Sequence, residues 1–481
     1  MNLRRALKKI PYLGTLCRLS RKSNIKVWLV GGFLRDIFLK RDREFLDFDF
    51  CVEKKILSFV HIFKRYSKAK IVVLDEKQKS YRLVIKRDKK IYTYDFTQLR
   101  GKNLEEDLSL RDFIMNTLAL EINILPRIEV IDLLGARFDL FRRRIRVVNE
   151  RVIKDDPLRI LRAFSFSANY NFKIEKRTEK ILAKYRKLLK KVSGERINEE
   201  LFKILSVLYS YPIIKKMSEL FILDEIIPYV KEQRNVFQGA YHHLDVWGHS
   251  LEALLRFEIL FKKRLSKDKR FIEYLYTSLT SKHRLIDIIK LACLLHDVGK
   301  PFAKRVKNKK TIFHTHEKIG AELMEKIYQR LKLSFKEKEV LKHLIFWHLR
   351  PGYLADQEYP SKRAVYRFFR DAGDEGVAVI LLSLADWRAT RGPLTDSKKR
   401  RRHERIMLKL IDYYFKEKQK KPLPKLVDGF DIMRKFKLKP SPLIGEILKR
   451  IKEEQALGKI TTKLDAYSLA QAIIKKRGRY R

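Results

Sequence analysis

The chain has 481 residues, which suggests roughly three domains, and its 45% hydrophobic content allows a sizeable core and excludes global disorder. Lys and Arg total 109 against 58 Asp and Glu, and a net charge of +51 favours a polyanionic partner, nucleic acid before a membrane surface. Three cysteines (Cys17, Cys51, Cys293) do not form a secreted disulfide framework. No apolar run approaches the ~20 residues of a membrane span, and Pro11 and Arg18 break any signal-type core. The chain therefore reads as a soluble, cytoplasmic protein.

In chain order, strand signals come first. Residues 27–30 form a short apolar run ending in Gly31-Gly32, and residues 45–52, 70–74, 81–86 and 91–96 continue the pattern. Helices are expected around 33–39 and 58–66. From Asp156 onward the apolar residues Leu158, Leu161, Ala163, Phe164 and Phe166 recur at helical spacing, and strand signals almost vanish. Breaks fall near Pro212, across 228–239 and across 391–393. Pro422, Pro424, Pro440 and Pro442 punctuate a Lys- and Arg-rich end. The expected fold class is α+β: a mixed head, then an all-α remainder. The expected domains are 1–150, 151–235, 236–392 and 393–481.

Chemistry concentrates first in LVGGFLRDIFLKRDREFLDFDF. Gly31-Gly32 follows a strand and opens a helix, so backbone N–H groups there can approach a phosphate, with Arg35 a turn further on. Asp47 and Asp49, two apart on a strand, point to one face. Two adjacent carboxylates repel unless a cation lies between them, and Mg²⁺ suits carboxylate and phosphate oxygens. The bland alternative is a turn followed by solvated acids.

The string G-G-x-x-R-D…D-x-D resembles the nucleotidyltransferases of the DNA polymerase β superfamily, and within them the class II tRNA nucleotidyltransferase and bacterial poly(A) polymerase family. Leu104–Glu121 resembles the family's second motif in Arg111, Asp112, Phe113 and Asn116, with Leu110 and Ile114 departing from it. Its bland alternative is an amphipathic helix capped by Asp112. Asp95 stands where the family often carries a third acid. Asp155–Phe172 resembles the nucleotide-selecting motif. Asp156, Arg159 and Arg162 can share one side of a helix, and a carboxylate beside a guanidinium suits a base edge. Ser193–Leu205 resembles the next element, with Glu195 and Arg196 expected to position helices.

The series His249, His296-Asp297, His316, His348 and Asp386 resembles the HD-domain phosphohydrolases. Its mixed imidazole and carboxylate donors suit Mn, Ni, Fe or Mg, and lack the Cys ligands of a structural zinc site. His283, His343 and His403 are expected to be core histidines.

The resemblance implies a polymerase β-like head, an all-α neck, an HD body and a basic tail. It implies addition of nucleotides to the 3′ end of tRNA from CTP, with ATP a further substrate, by Mg²⁺ held on Asp47 and Asp49. The nucleotide would lie among Gly31, Gly32, Arg35, Arg111, Asp112, Asn116, Asp156, Arg159 and Arg162. Because only residues 101–110 separate Arg100 from Arg111, addition of the two cytidines alone is the leading expectation. Full CCA addition, A addition and poly(A) synthesis are rivals. A regulatory head on an HD hydrolase, or a non-catalytic RNA-binding protein, represents a different class. No membrane is implicated and no obligate protein partner is implied. Tyr413, Tyr414 and Phe415 in the tail read either as RNA contacts or as helix core.

Overall fold

A computed structural model describes residues 3–41, 46–308, 310–356, 359–419 and 423–478. The chain divides into two compact units, Met1–Ile226 and Ile227–Arg481. No helix among the described residues is long and apolar enough to cross a membrane.

The first unit is built on a seven-stranded mixed sheet of order β3-β4-β5-β2-β1-β6-β7. Its strands are β1 (Val27–Val30), β2 (Asp47–Val52), β3 (Lys70–Asp75), β4 (Ser80–Arg87), β5 (Lys90–Gln98), β6 (Ala119–Glu121) and β7 (Val130–Ile131). Strands β2 and β5 run parallel, while β1 pairs antiparallel with β2 and β6. The predicted strands are all present. Phe45, the expected first residue of the second strand, lies outside the described residues, as does Pro422.

Alternation along β2 divides its side chains between two environments. Phe48 and Phe50 are buried on one face with Tyr94 and Phe96 of β5. Helix α1 (Ile56–Ser67) covers that face through Phe59 and Phe63, which meet Phe96 with ring centroids 6.1 and 5.8 Å away. The opposite face carries Asp47 and Asp49. The aromatic core therefore determines which way the acids point.

The second motif is not the single helix of the bland reading. Helix α2 (Leu104–Ser109) is capped by Asn103, whose side chain accepts from the Glu106 N–H. A 3₁₀ turn (Ile114–Asn116) and β6 follow, so Asp112 caps no helix, while Leu118 and Leu120 are fully buried. The selecting motif also differs from expectation. Asp156 lies in extended backbone after α3 (Glu150–Asp155), and α4 (Arg159–Tyr170) begins three residues later. Pro157 explains the break, because it disfavours helical backbone in the residue before it. Helix α5 (Gly194–Leu205) packs on α4.

The second unit is almost entirely helical. Its main helices are α6 (Val246–Lys263), α7 (Leu285–Leu295), α8 (His316–Leu331), α9 (Phe335–Trp347), α10 (Lys362–Ala372), α11 (Gly376–Ala389), α12 (Ser397–Gln419) and α13 (Pro442–Ala456). The apolar helices α7 and α11 are its centre, with nearly every residue buried. Residues 427–470 contribute a small core of their own around Ile432, Ile447 and Ile451.

Candidate active site and metal centre

A cleft of 880 Å³ in the first unit is lined by Gly31, Gly32, Arg35, Asp47, Asp49, Arg111, Asp112, Asn116 and Arg162, all predicted from sequence. It is also lined by Arg41, Ser165, Asn169, Tyr170, Glu200 and Lys203, which the sequence did not single out, and by Phe166, read there only as part of an apolar helical stripe. Four of these continue the helical period of Arg162 at positions 165, 166, 169 and 170. That signal was available, had the stripe been followed forward from Arg162 instead of backward to Asp156.

Asp95 does not line the cleft but sits opposite Asp49 in the β2–β5 register, and Arg82 sits opposite Asp95 on β4. Arg82 binds both oxygens of Asp95 at 2.7 Å, and Thr93 donates to Asp47. Three carboxylates thus share one face. Enclosure by the cleft walls raises the Asp49 carboxyl to about 6, with Arg111 opposing and Asp95 and Asp47 adding to the rise. A divalent cation would relieve that crowding, so the donor set fits one. Gly31 has φ +74, and a Cβ there would lie 3.2 Å from Asp49 Oδ2 and 3.6 Å from Arg111 Nη1. A side chain there would crowd the Asp49 carboxylate and strain a backbone conformation that glycine adopts readily.

One polar network ties the motifs together. Arg35 is buried and donates to Asp36 at 2.9 Å, to Asn116 Oδ1 at 2.7 Å and to the Tyr170 hydroxyl. Asn116 donates to Asp112 at 2.9 Å, and Arg162 donates to the other Asp112 oxygen at 3.0 and 2.7 Å. Burial opposes ionisation of Asp112, but Arg162 and the hydrogen bonds hold it at about 2. Arg111 reaches Asp107 at 3.2 Å and the Cys51 sulfur at 3.4 Å. Asp107, fully buried, also accepts from Arg100 at 3.1 Å. The two arginines hold Asp107 below the usual carboxylate range against the opposing effect of burial.

Asp156 and Arg159 do not line the cleft. Asp156 accepts from Arg196 at 2.8 Å, and Arg159 donates to the carbonyls of Leu110 and Val152 at 3.1 and 3.2 Å. Arg196 is thus the partner of a predicted site residue and not only a helix-positioning group.

The second unit gathers all six members of the histidine–aspartate series. His249, His296 and Asp386 form one group and Asp297, His316 and His348 another, each with ligand atoms within 4.8 Å. His249 lies on α6, His316 begins α8 and Asp386 lies on α11. His296 and His348 cap the ends of α7 and α9. Three imidazoles are oriented alike: Nδ1 of His296, His316 and His348 lies 3.0, 2.8 and 2.6 Å from the carbonyls of Cys293, Phe313 and Ile345. A carbonyl can only accept, so these Nδ1 atoms carry the hydrogen and Nε2 presents a lone pair inward, as metal-ligating histidines do. His296 Nε2 is buried without a hydrogen bond, although Asp297 Oδ2 is 3.2 Å away. Burial opposes charge on His296, but Asp297 and Asp386 draw a proton toward its Nε2 and raise it to about 10, so a proton and a metal would compete for that nitrogen. Buried Asp297 and part-buried Asp386 therefore call for a positive charge, which a metal would supply; the residues fit one. Gly299 lets this turn meet α8, since a Cβ would lie 2.1 Å from the His316 carbonyl oxygen.

The three other predicted histidines stand apart from this cluster. His283 Nδ1 pairs with Glu337 at 2.7 Å, and His403 stacks on Trp387 with ring centroids 4.4 Å apart. His343 contacts Trp347 with ring centroids 6.0 Å apart.

Three sequence families match this chain. The poly A polymerase head domain matches residues 27–146, the probable RNA- and SrmB-binding site of polymerase A matches 171–234, and the HD domain matches 246–391. The A-adding tRNA nucleotidyltransferase of Deinococcus radiodurans is 31% identical over 385 residues, covering 79% of this chain and 81% of that protein. The chain belongs to the tRNA nucleotidyltransferase family. The CC-adding member from Thermus thermophilus is 29% identical and covers 91% of this nucleotidyltransferase and 91% of itself. The fold of this chain is that of a Thermotoga maritima CCA-adding enzyme solved with tRNA, with a TM-score of 0.66 at 19% identity, covering 99% of this chain and 98% of that one.

Proposed function

We infer that this nucleotidyltransferase extends the 3′ end of tRNA by the two cytidines only, taking CTP and releasing pyrophosphate in the cytoplasm. The chain is a metal-dependent tRNA nucleotidyltransferase; the nature of the metal, its ligands and the stopping point are our reading. Asp47 and Asp49, with Asp95 beside them, would hold Mg²⁺. When bound, the ion acidifies the RNA 3′-hydroxyl and screens the leaving pyrophosphate. The Gly31-Gly32 turn admits the triphosphate close to the backbone. Arg111, anchored by Asp107, supplies a fixed cation beside it. Asp156 and Arg159 select the base, exchanging Arg196 and the Leu110 carbonyl for its edge. In domain terms, residues 1–150 act as the head, 151–235 as the neck, 236–392 as the HD body and 393–481 as the basic tail.

One observation carries the stopping point. Arg159 is bonded to the carbonyl of Leu110, at the end of the ten-residue stretch before Arg111. That stretch is not a free loop: α2 occupies it, Asn103 caps it, and buried Asp107 pins both Arg100 and Arg111 to it. With little chain to swing, the selecting arginine stays set for one base, and cytosine is the smaller. Incubation of tRNA ending at its discriminator base with CTP and ATP together tests this. Extension should stop at two residues, and a ladder reaching CCA would refute it.

A second reading concerns the HD cluster. The inward-facing imidazoles with buried Asp297 and part-buried Asp386 support a bound pair of transition metals or Mg²⁺, and hydrolysis of a phosphoester by an activated water. Metal analysis of protein purified without chelator, alongside turnover of a 2′,3′-cyclic phosphate, tests it. Protein free of metal and inert would leave this site a scaffold.

A further inference from the structure

The second unit contains a cavity of 650 Å³ between α10, α12 and the C-terminal end of α13. That volume is in the range of small-molecule sites, roughly 300–1,000 Å³. The floor is apolar: Val365, Ile406 and Leu410 are buried beneath it. Tyr359, Tyr366 and Tyr413 line its walls, and Tyr359 and Tyr413 remain 73% and 40% exposed. Lys362, Arg402, Arg405 and Lys409 surround the opening, with Glu417 the one acid among them. Lys409 Nζ lies 5.9 Å from the Tyr359 ring centroid, and Arg402 Nε is buried with no hydrogen-bond partner.

The pattern is written into α12. Its inner face buries His403, Met407, Ile411 and Tyr414 against the rest of the unit. Positions 402, 405, 406, 409, 410 and 413 form a second stripe at helical spacing, alternating cation, aliphatic and aromatic. Within that stripe Ile406 and Leu410 are buried, while Arg405, Lys409 and Tyr413 are exposed. At the far wall Gly458 turns the chain with φ +71, and a Cβ there would meet nothing within 4 Å, so the site stays open on that side.

We propose that this cavity is a second nucleotide-binding site, separate from the cleft of the first unit. The base enters over the apolar floor and stacks on tyrosine, while its phosphate meets Lys362, Arg405 and Lys409 at the rim. Base–aromatic stacking beside cations is how proteins hold nucleotides without sequence readout. A bare anion would not need three tyrosines and an aliphatic floor. An apolar peptide would not be met by four cations.

The nucleotide is either a free mononucleotide or an unstacked residue of an RNA, and photolabelling of the full chain separates the two. One arm uses 8-azido-ATP and the other uses tRNA containing 4-thiouridine, each followed by peptide mapping. Label is expected in the peptides carrying Tyr359, Tyr366 or Tyr413, in addition to the first unit. Arg405→Glu with Lys409→Glu should cut that label at least tenfold and leave the first-unit label unchanged. Tyr413→Leu, which preserves charge, should cut it as well, and so separates stacking from general attraction. Label from the free nucleotide identifies a mononucleotide site, and label from tRNA alone identifies an RNA subsite. Label confined to the first unit in both arms, or indifferent to all the variants, overturns the proposal.

Discussion

At Gly31 three constraints meet: a left-handed backbone, the Asp49 carboxylate and the Arg111 guanidinium. An L-residue at this φ of 74 and ψ of −134 costs about 1–3 kcal/mol, and its Cβ would press on the carboxylate proposed to hold metal. Gly31→Ala should lower turnover at least tenfold at saturating tRNA with tRNA affinity unchanged in a filter-binding assay. Near-normal turnover would remove the turn from the mechanism. Two arginines on α4 invite a sharper contrast. Arg159 donates to the backbone carbonyls of Leu110 and Val152, whereas Arg162 completes the Asp112–Asn116–Arg35 network. Arg159→Ala should relax discrimination between CTP and UTP by roughly 1–3 kcal/mol. Arg162→Ala instead leaves a buried acceptor short of its donor, a loss of about 1–3 kcal/mol, and should slow addition of every nucleotide alike. Measured kcat/KM ratios showing the reverse would move base selection from Arg159 to Arg162.

Elements explain why some of this was legible and some was not. The acids of β2 were readable because Phe48 and Phe50 alternate with Asp47 and Asp49, and a two-residue period assigns faces without knowledge of the partner strand. The HD series was readable because its order along the chain is distinctive. What could not be read was which carbonyl or side chain each group would meet. Arg82 closing on Asp95 depends on strand pairing, and the Asp156–Arg196 contact depends on how α5 packs on α4; both are long-range. Helix continuity also misled: Pro157 separates Asp156 from α4, so the i, i+3, i+6 spacing did not describe one helix. His283, read as a core histidine, has a definite structural task. It bonds Glu337, whose carboxylate also accepts from the Ser334 N–H in the capping box of α9. Burial opposes ionisation of Glu337, but His283 and Ser334 lower it from 4.5 to about 2. A carboxyl depressed on folding contributes stability that is complete above its unfolded value and fades as pH falls through the folded one. The contribution, about 2–3 kcal/mol by linkage, should therefore be present at pH 6 and shrink between pH 4.5 and pH 2. Hydrogen exchange across Phe335–Trp347 should show Glu337→Gln less protected than the parent at pH 6, with the gap narrowing on acidification. A gap independent of pH would mean that the cap, and not the charge, stabilises α9.

For the whole molecule, the +51 charge implies many phosphate contacts, and tRNA affinity should fall roughly a thousandfold or more between 50 and 200 mM salt. A flat response in a filter-binding titration would assign that charge to something other than RNA. The two candidate metal sites permit a further test, because each is assembled within one compact unit. Asp47, Asp49 and Asp95 all belong to Met1–Ile226, and the six HD residues all belong to Ile227–Arg481. Their hydrogen bonds stay within each unit as well: Asp95 is held by Arg82, His296, His316 and His348 by carbonyls three residues upstream, and His249 by Asp386. Sites with no shared partner should respond to substitution additively. Asp49→Ala should therefore lower nucleotide addition by orders of magnitude and leave HD metal content unchanged. Asp297→Ala removes an acid that faces both His296 and His316, at 3.2 and 3.3 Å, and should empty the HD site of metal while nucleotide addition continues. Metal analysis and primer extension on the two single variants and the double variant check this directly. If Asp297→Ala also halts nucleotide addition in protein that melts like the parent, the HD cluster takes part in the polymerising reaction, and the separate hydrolytic role proposed for it fails.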